Sequence, residues 1–158
     1  MNIRLATTKD LDGISKCHKA SIRGLCKDAY PAESIEKWTR ILLPEIYESA
    51  IREKILMVVE EENGISGFGI LDIGNTELSA LYVHPGMTGK GMAKTILARL
   101  EAIASEKSAH QLTLCSTVNA LGFYQHHGYI EDGKTFHELP DGLHIECIKM
   151  HKVLRKIV

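Results

Sequence analysis

The chain has 158 residues, 44% of them apolar and 25% charged, with a formal net charge of −1. That length suits one domain, residues 1–158, with a proper core, and the near-neutral balance carries no electrostatic footprint for nucleic acid or an anionic membrane. The longest purely apolar run, residues 55–59, is far too short to cross a bilayer. The N-terminal "MNIRLATTKD" has no apolar signal core, which points to a cytoplasmic protein. Cys17, Cys26, Cys115 and Cys147 lie far apart with no C-x-x-C pair, and read as reduced thiols, not as a disulfide framework or a zinc site.

In chain order, "NIRLA" alternates as a strand does. The stretch "TTKDLDGISKCHKASIRGLCKD" then puts Leu11, Ile14, Ile22 and Leu25 on roughly one helical face, with Thr7 or Thr8 as N-cap and Asp10 in the first turn. Pro31 and Pro44 punctuate short helical pieces, "AESIEKWTR" and "PEIYESAIREK". From Ile55 the period becomes two: "ILMVVEE", an Asn63–Gly64 turn, "ISGFGILDI", a Gly74–Asn75 turn and "TELSALYV" predict a three-strand antiparallel meander. A glycine-rich loop and a helix over residues 91–107 follow, then the strand "QLTLCS" and a short helix "NALGFYQHH" ended by Gly128. Two further strands close the chain, the last being "LHIECIKMHKV". The pattern predicts a mixed α/β fold, a single layer of sheet with helices packed on it.

The most informative stretch is "LYVHPGMTGKGMAKTILARL", residues 81–100, where glycines join a strand to a helix and so offer backbone donors to an anion. A nucleotide P-loop needs G-x-x-x-x-G-K-[ST]; Gly86 and Gly91 have the spacing, but Met92 stands where lysine must be. A dinucleotide fingerprint needs G-x-G-x-x-G, and Lys94 occupies the third glycine after Gly89 and Gly91.

What remains is Val83-x-Pro85-x-x-Thr88-Gly89-x-Gly91-Met92-Ala93, which resembles the acetyl-CoA loop V-x-P-x-x-[RQ]-G-x-G-x-[GA] of the GCN5-related N-acetyltransferase (GNAT) family. "NALGFYQHHGY" is similar to that family's second motif, an Asn, then Phe-Tyr, then Gly followed by Phe or Tyr. The order of elements agrees over nearly the whole chain. One departure is Thr88, where the family usually has Arg or Gln.

The resemblance implies a GNAT-like fold, with a mostly antiparallel sheet and the glycine loop between a central strand and the main helix. It also implies transfer of acetyl from acetyl-CoA to a primary amine. Leu81, Tyr82 and Val83 would run along the pantetheine, with one N–H polarising the thioester carbonyl. Thr88, Gly89, Lys90, Gly91, Met92, Ala93 and Lys94 would hold the pyrophosphate, the two lysines being otherwise solvated. By the same resemblance Tyr124 would protonate the leaving thiolate, and Glu77, eleven residues before Thr88, would act as base or position a water. The alternatives are a core aromatic for Tyr124, with Phe123 serving the core if Tyr124 faces outward, and a solvent-facing charge for Glu77. His84 rivals Glu77 less convincingly, and Asn119 is either a helix N-cap or a cofactor contact.

Acceptor choice falls to "LCKDAYPAESIEKWTR" and "FHELPDGLHIE". There Tyr30, Trp38 and Tyr47 line a pocket or, for a lone tryptophan, simply join the core. Glu33, Glu36 or Glu138 would attract an ammonium. The expected acceptor is a small amine or amino-acid-like metabolite; a protein or peptide acceptor and a non-catalytic acyl-CoA-binding module are the alternatives. No metal is expected, since adjacent His126 and His127 would point about 100° apart in a helix, and His137, His144 and His151 fall on strand and loop. A homodimer agrees with the family's habit.

Overall fold

The computed structural model describes residues 1–154. Their centre is a sheet of seven strands: β1 (Asn2–Leu5), β2 (Ile55–Glu61), β3 (Gly64–Asp72), β4 (Glu77–Val83), β5 (Gln111–Thr117), β6 (Ile130–Glu138) and β7 (His144–Val153), in the spatial order β1-β2-β3-β4-β5-β7-β6. All neighbours are antiparallel except β4 and β5. That parallel pair is joined by a crossover through helix α4 (Met92–Glu106). The remaining helices are α1 (Leu11–Leu25), α2 (Ala32–Arg40), α3 (Glu48–Glu53) and α5 (Leu121–His126). The fold is the α/β arrangement that the sequence implied, an open, mostly antiparallel sheet flanked by helices.

Local chemistry explains the boundaries. Thr7 caps the chain's entry into α1: its Oγ accepts from Lys9 N–H, and the Asp10 carboxylate accepts from Thr7 N–H at 2.8 Å. Arg4 of β1 closes on the same carboxylate with two N–H bonds of 2.8 and 2.9 Å and also reaches Glu60 of β2. Asp10 is therefore held below the ordinary carboxylate range, chiefly by the Arg4 hydrogen bonds. After α5, Gly128 takes φ +93°, the left-handed stop that Gly128 was expected to supply.

At the middle of β3 the two faces of the sheet differ in residue size. Gly67 and Gly69 of β3 let α4 approach so closely that an added Cβ at Gly69 would lie 2.7 Å from Leu100 Cδ1 and 2.8 Å from Ile96 Cγ2. Phe68, on the other face of the same strand, is fully buried in a cluster with Ile14, Tyr47 and Val58. A third cluster joins Ile22, Tyr30, Ile35 and Trp38 to Leu139 and Ile145.

Two irregularities make room for a site. Ile70 pairs with Ala80 and Leu71 with Leu78, so Ser79 is an extra residue that bulges β4. Beyond the bulge the parallel ladder is gone: β4 meets β5 only at Glu77–Thr113 and Leu78–Leu114, although β4 continues to Val83 and β5 to Thr117. The two strands diverge like the arms of a V, and α5 and the glycine loop stand at its mouth.

Candidate active site

Two clefts open where the strands part. The first, of about 480 Å³, is bounded by the end of β4, the loop after it, the start of α4, the end of β5 and α5, with α1 on its far wall. Leu81, Tyr82, Val83, Thr88, Gly89, Gly91, Met92, Ala93, Lys94, Asn119 and Tyr124 all line it. Eleven side chains or backbone segments singled out from two separate motifs thus border one space. Lys90 is the exception: it is exposed, and its Nζ lies 3.8 Å from Met87 Sδ.

The loop is built to present backbone. His84 Nδ1 accepts from Gly86 N–H at 3.1 Å and so helps shape the turn, and His84 lines neither cleft. The Thr88 hydroxyl donates to the Pro85 carbonyl at 3.1 Å, so it too holds the loop. Gly89 and Gly91 both take φ +77°, which L side chains rarely adopt, and a Cβ at either would meet nothing within 4 Å. Gly91 is the N-cap of α4, so the unpaired N–H groups of the first helical turn lie directly behind this open cradle. These are the elements a pyrophosphate requires, and the residues fit a coenzyme A group.

Tyr124 does not face outward. Its ring is only 7% exposed and belongs to the main core cluster, edge-on to Phe123 and Tyr129, while Phe123 is the more exposed of the pair. Phe123 and Tyr124 both line the first cleft, so the pair is not divided between core and outside as expected. Burial pushes the Tyr124 phenol well above its ordinary pKa, so it carries its proton at neutral pH. Asn119 is not the helix N-cap. It sits inside a 3₁₀ turn, Val118–Ala120, whose own N-cap is Thr117, and α5 follows directly. Asn119 instead faces the first cleft, which Cys26 also lines.

The second cleft, about 440 Å³, shares Tyr82 and Thr117 with the first. Glu77 and Trp38 line it, and so does Tyr47. Trp38 is also core, 5% exposed, so both of its readings hold. Tyr30 lines neither cleft. Its hydroxyl donates to the Glu146 carbonyl and accepts from Val118 N–H at 3.0 Å, bracing the turn that carries Asn119. Glu33, Glu36 and Glu138 lie outside the second cleft and are engaged by Lys37, Arg40 and His144.

His18 lines the second cleft, and nothing in the sequence had singled it out. Its ring is 8% exposed, 4.1 Å from the Tyr82 ring, with Nδ1 2.8 Å from the Tyr47 hydroxyl. Nε2 is buried with no partner among the described residues. Desolvation lowers its pKa to about 3, so the imidazole is neutral. The signal that was available, a histidine on the buried face of an amphipathic helix, is ordinarily a structural one.

Comparison with known proteins agrees with this geometry. The family model for the acetyltransferase (GNAT) domain matches residues 26–154, and the chain belongs to the GNAT acetyltransferase family. Among solved structures, a GCN5-related N-acetyltransferase of Rhodopseudomonas palustris, described as a class-II aminotransferase, is 24% identical with a TM-score of 0.89, over 97% of this chain and 95% of that one. The PaiA N-acetyltransferase of Thermoplasma acidophilum, crystallised with coenzyme A, is 23% identical with a TM-score of 0.75, over 96% of this chain and 98% of that one. A phosphinothricin acetyltransferase of Sinorhizobium meliloti, solved with acetyl-CoA, is 16% identical with a TM-score of 0.67, over 97% and 88%. No curated protein matches.

Proposed function

We propose that this protein is an N-acetyltransferase that takes acetyl from acetyl-CoA and gives it to the primary amine of a small metabolite by direct attack, with both substrates bound together. The observation that carries this reading is the meeting of two clefts at Tyr82 and Thr117: one has the anion cradle, the other the carboxylate. Two substrates entering by separate mouths would bring their reacting ends to that junction. Relatives solved with coenzyme A or acetyl-CoA support the choice of donor.

Acetyl-CoA supplies an activated acyl group as a thioester. The backbone of Gly89 and Gly91 and the first turn of α4 would hold its phosphates, with Lys94 beside them. Each helix-end interaction is worth only about 0.3–1 kcal/mol, so the edge of β4 left free by the bulge must contribute by pairing with the pantetheine. An N–H on Leu81, Tyr82 or Val83 would stabilise negative charge on the thioester oxygen.

Two proton transfers remain. A primary amine of ordinary pKa near 10.4 is mostly ammonium at neutral pH, and freeing its lone pair costs about 4–5 kcal/mol. Glu77 would accept that proton, directly or through a water held with Ser79, whose Oγ is 3.3 Å from Glu77 Oε1. Tyr124, kept protonated by burial, would give its Oη proton to the departing sulfur, and the second proton that the nitrogen sheds on becoming an amide would restore the phenol.

The test is thiol release from acetyl-CoA, with pooled small amines and amino acids against a no-acceptor control. Acceptor-dependent release that falls in Tyr124→Phe supports the reading. Acetyl-CoA binding without release from any amine or peptide would favour a binding module.

A further inference from the structure

We infer that the second cleft selects a primary monoamine whose body is apolar, an aromatic ring or a branched alkyl group; this rests on the acetyl-transfer reading above. The first argument is charge. Glu77 is the one carboxylate among the described residues lining this cleft, and Lys54, the one lysine there, already lies 3.6 Å from Asp72. One carboxylate balances one ammonium. A polyamine or a basic peptide brings a second cation, which would have to sit against apolar walls without a counter-ion.

The second argument is the wall itself. Beyond Glu77 the cleft runs between Trp38, Ile41 and Leu42 at the end of α2 and Leu139 and Ile145 across from them. Ile46 stands on the same cleft with 47% of its surface exposed, an apolar rim residue with little to cover it. The cleft also carries Ser49, Ser79, Thr117 and His137, but a hydroxylated amine or an amino sugar whose hydroxyls fall on the apolar stretch would leave them unpaired there. The volume of about 440 Å³ is in the ordinary range for a small-molecule site. His18, a buried side chain of the wall, is neutral and spends its Nδ1 on Tyr47, so it adds no charge that would repel an ammonium.

The experiment compares three acceptors in the thiol-release assay: 2-phenylethylamine, 2-aminoethanol and 1,4-diaminobutane. The expected kcat/KM for phenylethylamine exceeds the other two by about 10²-fold, a discrimination that a few buried methylene equivalents supply. Equal values, or preference for the diamine, overturn the inference. Ile46→Asp, a change at an exposed position that the fold tolerates, should narrow the phenylethylamine-to-aminoethanol ratio by about tenfold; an unmoved ratio overturns the assignment to this cleft. If no amine releases thiol although acetyl-CoA binds, the acetyl-transfer reading is what fails. Binding is then read from the fluorescence of Trp38, the single tryptophan of the chain. A saturable change with phenylethylamine at lower concentration than with aminoethanol supports the apolar-amine site, and no change overturns it.

Discussion

Acidification should weaken this protein through one buried imidazole, and the size of the effect follows from its surroundings. His18 packs against Phe68 and Tyr82 rings at 5.3 and 4.1 Å, and burial lowers its pKa to about 3 from an ordinary 6.5. Between those values the unfolded chain binds a proton that the folded chain refuses, so stability rises with pH and is lost as pH falls below about 6.5. The slope approaches 1.36 kcal/mol per pH unit. From pH 7 to pH 5 the loss is therefore about 2 kcal/mol, and it continues toward pH 3. Urea denaturation at pH 7, 6 and 5 measures it, with His18→Asn as the reference because asparagine can still bond the Tyr47 hydroxyl but does not titrate. The difference in stability between wild type and variant should shift by about 2 kcal/mol over that interval. A constant difference across the three pH values would refute the argument and place the acid sensitivity elsewhere.

Tyr124→Phe should slow turnover by about 10²-fold, the usual scale for a lost general acid, while acetyl-CoA affinity stays within a few-fold; unchanged kcat removes the phenol from the chemistry. Gly91→Asp should abolish acetyl-CoA binding in calorimetric titration of a folded protein, because a carboxylate would then face the pyrophosphate at a residue whose φ is +77°. Normal titration would mean the anion cradle is misassigned. Gly69→Val should cost about 3 kcal/mol, the upper range of overpacking, since its branched carbon would collide with the buried Ile96 and Leu100 side chains. Thermal unfolding within 2 °C of wild type would show that α4 can move away. Asp10→Asn should remove a stabilisation that is present above the ordinary carboxylate pKa and lost as pH falls below about 4, because the Arg4 bonds hold the folded carboxyl low; equal acid sensitivity in wild type and variant argues against it.

How much of this was readable beforehand depends on how far apart the partners lie in the chain. The two hairpins of the meander and the N-cap at Thr7 with Asp10 in the first turn are settled by neighbours and were legible, although the connections fall at residues 62–63 and 73–76, and Gly64 already belongs to β3. The glycine loop was legible too, because the cradle is one continuous segment. Features set by distant partners were not. The buried face of α1 carries Ser15, His18 and Ser21, and two of those find their partners 27 and 29 residues away in Leu42 and Tyr47. Tyr30 looked like a pocket aromatic, yet its hydroxyl braces Val118, 88 residues on. That same brace and the 3₁₀ entry to α5 explain why Asn119 is no N-cap. The second cleft escaped full description for the same reason: α1, α2, α3, five strands and the segments between them each give it a wall.

The sparse pairing of β4 with β5 also says how the molecule is put together. Strands β1 to β4 hold one another within residues 2–83, and β5, β7 and β6 do the same within residues 111–153. Within the sheet only two residue pairs join the halves among the described residues, with α4 crossing from one to the other and side chains such as Tyr30 and Trp38 packing across. The cleft is thus a seam between two separately laddered pieces and was never carved into a finished body. A nick in residues 107–110 would leave every ladder but that seam inside a single fragment. Neither fragment alone would own the site; it would come into being when they dock.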